Sequence, residues 1–97
     1  MPSPEPIPHR RLVLYVAGWT PRAETMVASI RSVCEDEFPG RYLFEVVDVI
    51  EDPEKAEEAK IVATPTLILA DDPPRRIIGD VTSIRSLRAA FGLAASE

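Results

Sequence analysis

Residues 12–17 read Leu-Val-Leu-Tyr-Val-Ala, an unbroken row of apolar and aromatic positions. A strand with one wet face alternates apolar and polar side chains, because successive side chains point to opposite faces. A run without alternation is a strand covered on both sides, at the middle of a sheet. The rest of the chain must then supply flanking strands and covering helices.

The flanking segments read that way. Gly18-Trp19-Thr20-Pro21 ends the run, with Thr20 placed as a helix N-cap and Pro21 at the first helical position. Ala23, Met26, Val27, Ile30, Val33 and Cys34 then recur at helical spacing, which predicts an amphipathic helix of about four turns stopped by Pro39-Gly40. Residues 42–50 form a second strand interrupted by Glu45 and Asp48, the pattern of a half-exposed edge. Asp52-Pro53 repeats the cap signal and opens a short polar helix over 53–60, with Ala56 and Ala59 as its small apolar contacts. Residues 66–70 are a third strand, Asp71-Asp72-Pro73-Pro74 a turn, and residues 75–79 a fourth strand hairpinned to the third. Thr82 or Ser83 caps a last helix carrying Ile84, Leu87, Ala90 and Phe91, with Gly92 as its stop. The order β-α-β-α-β-β-α starts with a parallel pair and closes on an antiparallel edge, an α/β fold of thioredoxin-like arrangement.

A chain of 97 residues, 45% apolar and 28% charged, has material for one core. Residues 1–9 are expected to be a disordered tail, with proline at every second position from Pro2 to Pro8, and residues 10–97 a single domain. The net charge of −5 argues against a nucleic-acid partner, which calls for a basic surface. No apolar run is long enough to span a membrane, and the first residues lack the basic and apolar regions of a signal peptide. The expected location is the cytoplasm.

Little in the chain points to catalysis. The junction between first strand and first helix, where a thioredoxin carries Cys-x-x-Cys, reads Gly18-Trp19-Thr20-Pro21-Arg22-Ala23 without a cysteine. The single cysteine, Cys34, lies about three turns further on, on the apolar face, and reads as a small buried hydrophobe. His9 is the only histidine and has no metal-ligand partner nearby. Glu57-Glu58 and Asp71-Asp72 read as solvated acid pairs. We expect no catalytic residue, no metal and no cofactor. Trp19 either folds back over the core or stands out as an anchor for a partner. Arg75-Arg76 either pairs with the acidic second helix, where six acids lie between Asp48 and Glu58 against Lys55 alone, or presents a basic binding edge.

Several segments together resemble the KaiB family of circadian clock proteins. They are Leu14-Tyr15-Val16-Ala17-Gly18 with Thr20-Pro21, Asp48-Val49, Pro53 with Ala56-Glu57-Glu58, Ala63-Thr64-Pro65-Thr66-Leu67, and Arg75-Arg76-Ile77-Ile78-Gly79-Asp80. The sensor domain of the clock-output histidine kinase is similar through its Ala-Thr-Pro segment but usually lacks the last run. The resemblance implies a non-enzymatic protein that binds the ring-shaped ATPase KaiC and helps set its phosphorylation rhythm. A histidine kinase or stress regulator outside a full clock is the alternative partner, and self-association to a dimer or tetramer is implied as well. It also implies a metamorphic chain: a thioredoxin-like monomer that binds KaiC, and an oligomer whose C-terminal half is arranged differently.

Carried over residue by residue, the family's partner surface falls on Arg10, Tyr42, Leu43, Glu45, Glu54, Glu58 and Arg75. Thioredoxin-like folds also carry a proline, usually cis, before the third strand, and Pro65 occupies that place. The chain departs from the family at Trp19, commonly asparagine, and at Glu45, often lysine. It departs again around Ala89, Ala90, Phe91 and Gly92, in the segment that changes structure between the two states. Alanine at 89 and 90 and a glycine stop at 92 favour the helical, thioredoxin-like arrangement.

Overall fold

The computed structural model describes residues 10–70, 74–79 and 87–89. Its elements run β1 (Arg10–Val16), α1 (Pro21–Glu37), β2 (Tyr42–Asp48), α2 (Pro53–Glu58), β3 (Thr66–Leu69) and β4 (Arg75–Ile78). Residues 87–89 are helical, as the sequence predicts for the last helix. The rest of that helix, with Ala90 and Gly92, lies outside the described residues, as do the tail 1–9 and most of the turn 71–74.

The strands form one sheet in the order β2-β1-β3-β4. The apolar run is central, with β1 parallel to β2 and antiparallel to β3, while β3 and β4 make the antiparallel hairpin. Alternation divides the sheet into two faces. Leu12, Leu14, Val16, Leu67 and Leu69 meet Ala23, Met26, Ile30, Val33 and Cys34 of α1, together with Leu87, in a closed apolar core. Val13 and Tyr15 point to the opposite face, toward α2. Covering both faces of β1 is what its unbroken apolar sequence demands.

The caps differ between the two helices. Thr20 Oγ1 accepts the Ala23 N–H at 3.1 Å, and Pro21 occupies the first turn. Asp52 takes the N-cap place before Pro53, but its side chain makes no cap hydrogen bond, contrary to the sequence signal. α2 also stops two residues early. Lys60 adopts φ +57°, its N–H donates to Glu57 O at 3.0 Å, and the Ile61 N–H donates to Ala56 O at 2.9 Å. That is a Schellman stop with lysine where glycine is usual.

β2 ends at Asp48, two residues before the predicted end. The cause is the Asp48 carboxylate, whose Oδ1 accepts the N–H of Ile50 at 3.0 Å and turns the chain. The Thr64–Pro65 peptide bond is cis, as the resemblance implies. Trp19 is 55% exposed, which decides against the reading that folds it over the core. Among the described residues, no helix is long and apolar enough to cross a membrane.

Candidate functional site: the β2 edge and the groove under α2

β2 is the outermost strand on its side, so one row of its backbone groups has no strand neighbour among the described residues. Its side chains alternate. Tyr42, Phe44 and Val46 pack against the core under α1, and Leu43, Glu45 and Val47 face the other way. Leu43 is 57% exposed, a large apolar side chain left in water on an open edge. Glu45 Oε2 lies 3.5 Å from Lys55 Nζ of α2, with both side chains about half exposed. An ion pair of that length and exposure is worth little by itself.

Between α2 and the sheet lies a groove of about 350 Å³. Val13, Val47 and Ala59 form its apolar walls, and Glu45, Lys55 and Glu58 its charged rim. Tyr15 stands in this groove and is only 8% exposed. Burial, then the charge of Glu45, pushes its hydroxyl above the ordinary pKa of 10.0, while Arg76 and Lys55 pull the other way.

The other predicted partner residues divide by position. Arg10 is the register partner of Tyr42 and holds its guanidinium over the Phe38 ring at 5.0 Å. Tyr42 donates its hydroxyl to Glu35 Oε2 at 2.6 Å, and that hydrogen bond is the main cause of its raised pKa. Glu54 is exposed in the first turn of α2. Arg75 sits on β4, the opposite edge of the sheet, in register with Leu69. The fold therefore places Tyr42, Leu43 and Glu45 on one edge strand, Tyr42 on the α1 face and Leu43 and Glu45 on the opposite one, with Arg10 beside Tyr42 on the central strand and Glu58 across the groove, and leaves Arg75 three strands away.

Arg76 is the residue whose placement sequence reasoning missed. Its Nη1 donates to Lys60 O at 3.2 Å, and Nη2 donates to Ala59 O. The arginine pairs with the carbonyls at the end of the acidic helix rather than with its carboxylates. A guanidinium is well suited there, where the last carbonyls lack intrahelical partners and the helix dipole is negative. The signal was the alternation of β4, which puts Arg76 on the α2 face beside Ile78.

The opposite end of the sheet carries the place where a thioredoxin has its redox pair. A cavity of about 120 Å³ opens there between Gly18, Thr20, Ala23, Met26 and Pro65. Cys34 is roughly 20 Å further along α1. It is free and fully buried, and burial pushes its thiol up to about 11. Among the described residues, no group of three His, Cys, Asp or Glu side chains could hold a metal ion.

Comparison with known proteins agrees with this architecture. Residues 13–91 match the family model described as the KaiB domain. The chain is 49% identical over 72 residues to the circadian clock oscillator protein KaiB of Rippkaea orientalis, covering 73% of this chain and 69% of the relative. It is 50% identical over 72 residues to the protein of the same name from Prochlorococcus marinus strain MIT 9303, covering 73% and 60%. Among solved structures, it is similar to chloroplastic thioredoxin z, with a TM-score of 0.70 and 22% identity over 87% of this chain and 76% of the other. It is also similar to mitochondrial thioredoxin 3 of Saccharomyces cerevisiae, with a TM-score of 0.65 and 22% identity over 89% and 77%. The structural likeness gives a thioredoxin-like fold, the family model covers most of the chain, and the chain belongs to the KaiB family.

Proposed function

We propose that the protein is a non-catalytic regulator that binds a KaiC-type ATPase ring and modulates its phosphorylation and timing state. The contact surface is the β2 edge with the adjoining face of α2, carried by Leu43, Glu45, Glu54 and Glu58 and flanked by Arg10 and Tyr42. Arg75, on the far edge, contributes to a separate contact. The observation that supports this most is Leu43: a half-exposed leucine on an unpaired strand edge, with carboxylates beside it, is the composition of a polar-rimmed apolar anchor. The protein also exists as a dimer or tetramer when free of the ring.

The test is co-elution of the purified protein with a purified KaiC-type ATPase and ATP on a sizing column. Co-elution lost in the double variant Leu43→Ala, Glu58→Lys supports the reading. No co-elution with the ring under any nucleotide sinks it. Sedimentation of the free protein reads the oligomer.

A second partner, a histidine kinase or stress regulator outside a full clock, is favoured by one feature. Glu45 places a negative charge on this face where the family often has lysine. Running a KaiB-like kinase sensor domain against the ring for the same protein separates the two.

A further inference from the structure

We propose that the groove under α2 is a seat for a single arginine side chain of a protein partner, with Tyr15 as its floor. This rests on the reading of the β2 edge and α2 as the partner surface.

The key residue is Tyr15. Its side chain is more than nine-tenths buried, it lines an open groove, and its hydroxyl has no hydrogen-bond partner among the described residues. No buried side-chain oxygen or nitrogen among the described residues lacks a partner, so this hydroxyl meets solvent at the groove, and what enters the groove can take the place of water on it. Two carboxylates, Glu45 and Glu58, stand over the same groove. Together with the hydroxyl they offer three acceptor groups converging on one space.

Charge and shape select the occupant. The cations near Tyr15 are Lys55 and Arg76. Arg76 spends its guanidinium on the carbonyls of Ala59 and Lys60. Lys55 reaches Glu45 only at 3.5 Å and is half exposed, so an incoming cation displaces it at small cost. The segment from Asp48 to Glu58 carries six acids against Lys55, which makes the approach to the groove negative. A guanidinium presents five donors in a plane and satisfies several acceptors at once, where an ammonium is a compact, strongly hydrated charge. Its three-carbon stem lies against Val13, Val47 and Ala59 while the head stays at the carboxylates.

The test is a ¹⁵N NMR titration of the full chain with N-acetyl-arginine methylamide. The neutral citrulline analogue and the lysine analogue serve as controls, each repeated on Tyr15→Phe and Glu58→Gln. Expected are saturable shifts at Val13, Tyr15, Glu45 and Glu58, at least fivefold weaker binding of citrulline, weaker binding of lysine, and at least threefold loss in each variant. Tyr15→Phe keeps the ring packing and removes only the unpartnered oxygen, and its own spectrum reports that it folds. No saturable shifts at the groove, equal shifts from citrulline, or an unchanged Tyr15→Phe would overturn the seat. Ring binding is read separately on the sizing column. A protein that binds the ring but not arginine refutes the seat alone; one that binds arginine but not the ring refutes the ring reading and keeps the seat.

Discussion

The Asp48 carboxylate accepts the backbone N–H of Gly18 at 3.0 Å, across thirty residues of chain. The same oxygen takes the Ile50 N–H at 3.0 Å, so one side chain ties the loop after β1 to the turn after β2. Gly18 holds φ +88°, a conformation that side-chain-bearing residues rarely adopt. Asp48→Ala leaves two N–H groups without their acceptor and is expected to lower stability by about 1–3 kcal/mol. Asp48→Asn keeps an acceptor oxygen and should lose less. Urea unfolding midpoints of the two variants decide it: equal midpoints would show that the tie is idle.

The end of α2 yields a pair of opposite effects. Arg76→Met keeps the apolar stem and deletes the donors to Ala59 and Lys60, with an expected loss of about 0.5–1.5 kcal/mol. Lys60→Gly acts the other way. A left-handed lysine costs about 1–2 kcal/mol, and the added freedom of glycine when unfolded offsets about 0.5–1 kcal/mol of that. The net gain should be about 0.5–1 kcal/mol. Amide exchange at Lys60 and Ile61 should speed up in Arg76→Met and slow down in Lys60→Gly.

Cys34 is expected to be inert at neutral pH. Its thiol, ordinarily near 9.0, is pushed up to about 11, chiefly by burial. The native state therefore keeps its proton at pH values where the unfolded chain has lost it. Stability from this group is complete below the unfolded value and declines as pH rises from about 9 to about 11, by on the order of 2 kcal/mol. Cys34→Ala should flatten that decline. A thiol reagent at pH 8 should label the urea-unfolded protein quickly and the native one slowly. Insulin reduction by dithiothreitol should run at the same rate with and without the protein.

Charge on the β2 and α2 face should show in the salt dependence of partner binding. Glu58→Lys is expected to weaken ring binding roughly five- to tenfold at low ionic strength and much less at high salt, because an exposed charge is screened. Leu43→Ala should weaken it about equally at both, since burial of an apolar side chain is not screened. Titrations in low and high salt distinguish the two kinds of contact.

The helical residues 87–89 set Leu87, fully buried, into the core beneath α1. Ala89 is exposed, so its contribution is helix propensity alone. Ala89→Gly should cost the thioredoxin-like state about 1 kcal/mol, which shifts a two-state equilibrium about fivefold. Sedimentation and NMR secondary shifts over residues 83–91 measure it. An unchanged population of oligomer would show that this segment does not set the balance.

Much of the architecture was legible because it is local. The unbroken run of β1, the apolar period of α1, the Thr20 cap and the Pro39-Gly40 stop each follow from neighbours within a turn or two of chain. So does the edge character of β2, which the polar Glu45 and Asp48 announce. The sequence by itself determined which face of each element is apolar, and through its motifs the family and Pro65. What the tertiary structure decided depends on register between residues far apart in the chain. Whether Asp48 caps its own turn or holds Gly18 thirty residues back, and whether Arg76 finds carboxylates or the carbonyls sixteen and seventeen residues before it, are matters of where one strand lies beside another. The separation of Arg75 from the β2 edge and the unpartnered hydroxyl of Tyr15 have the same origin. Side-chain period reports the face a residue occupies; only packing reports what stands across from it.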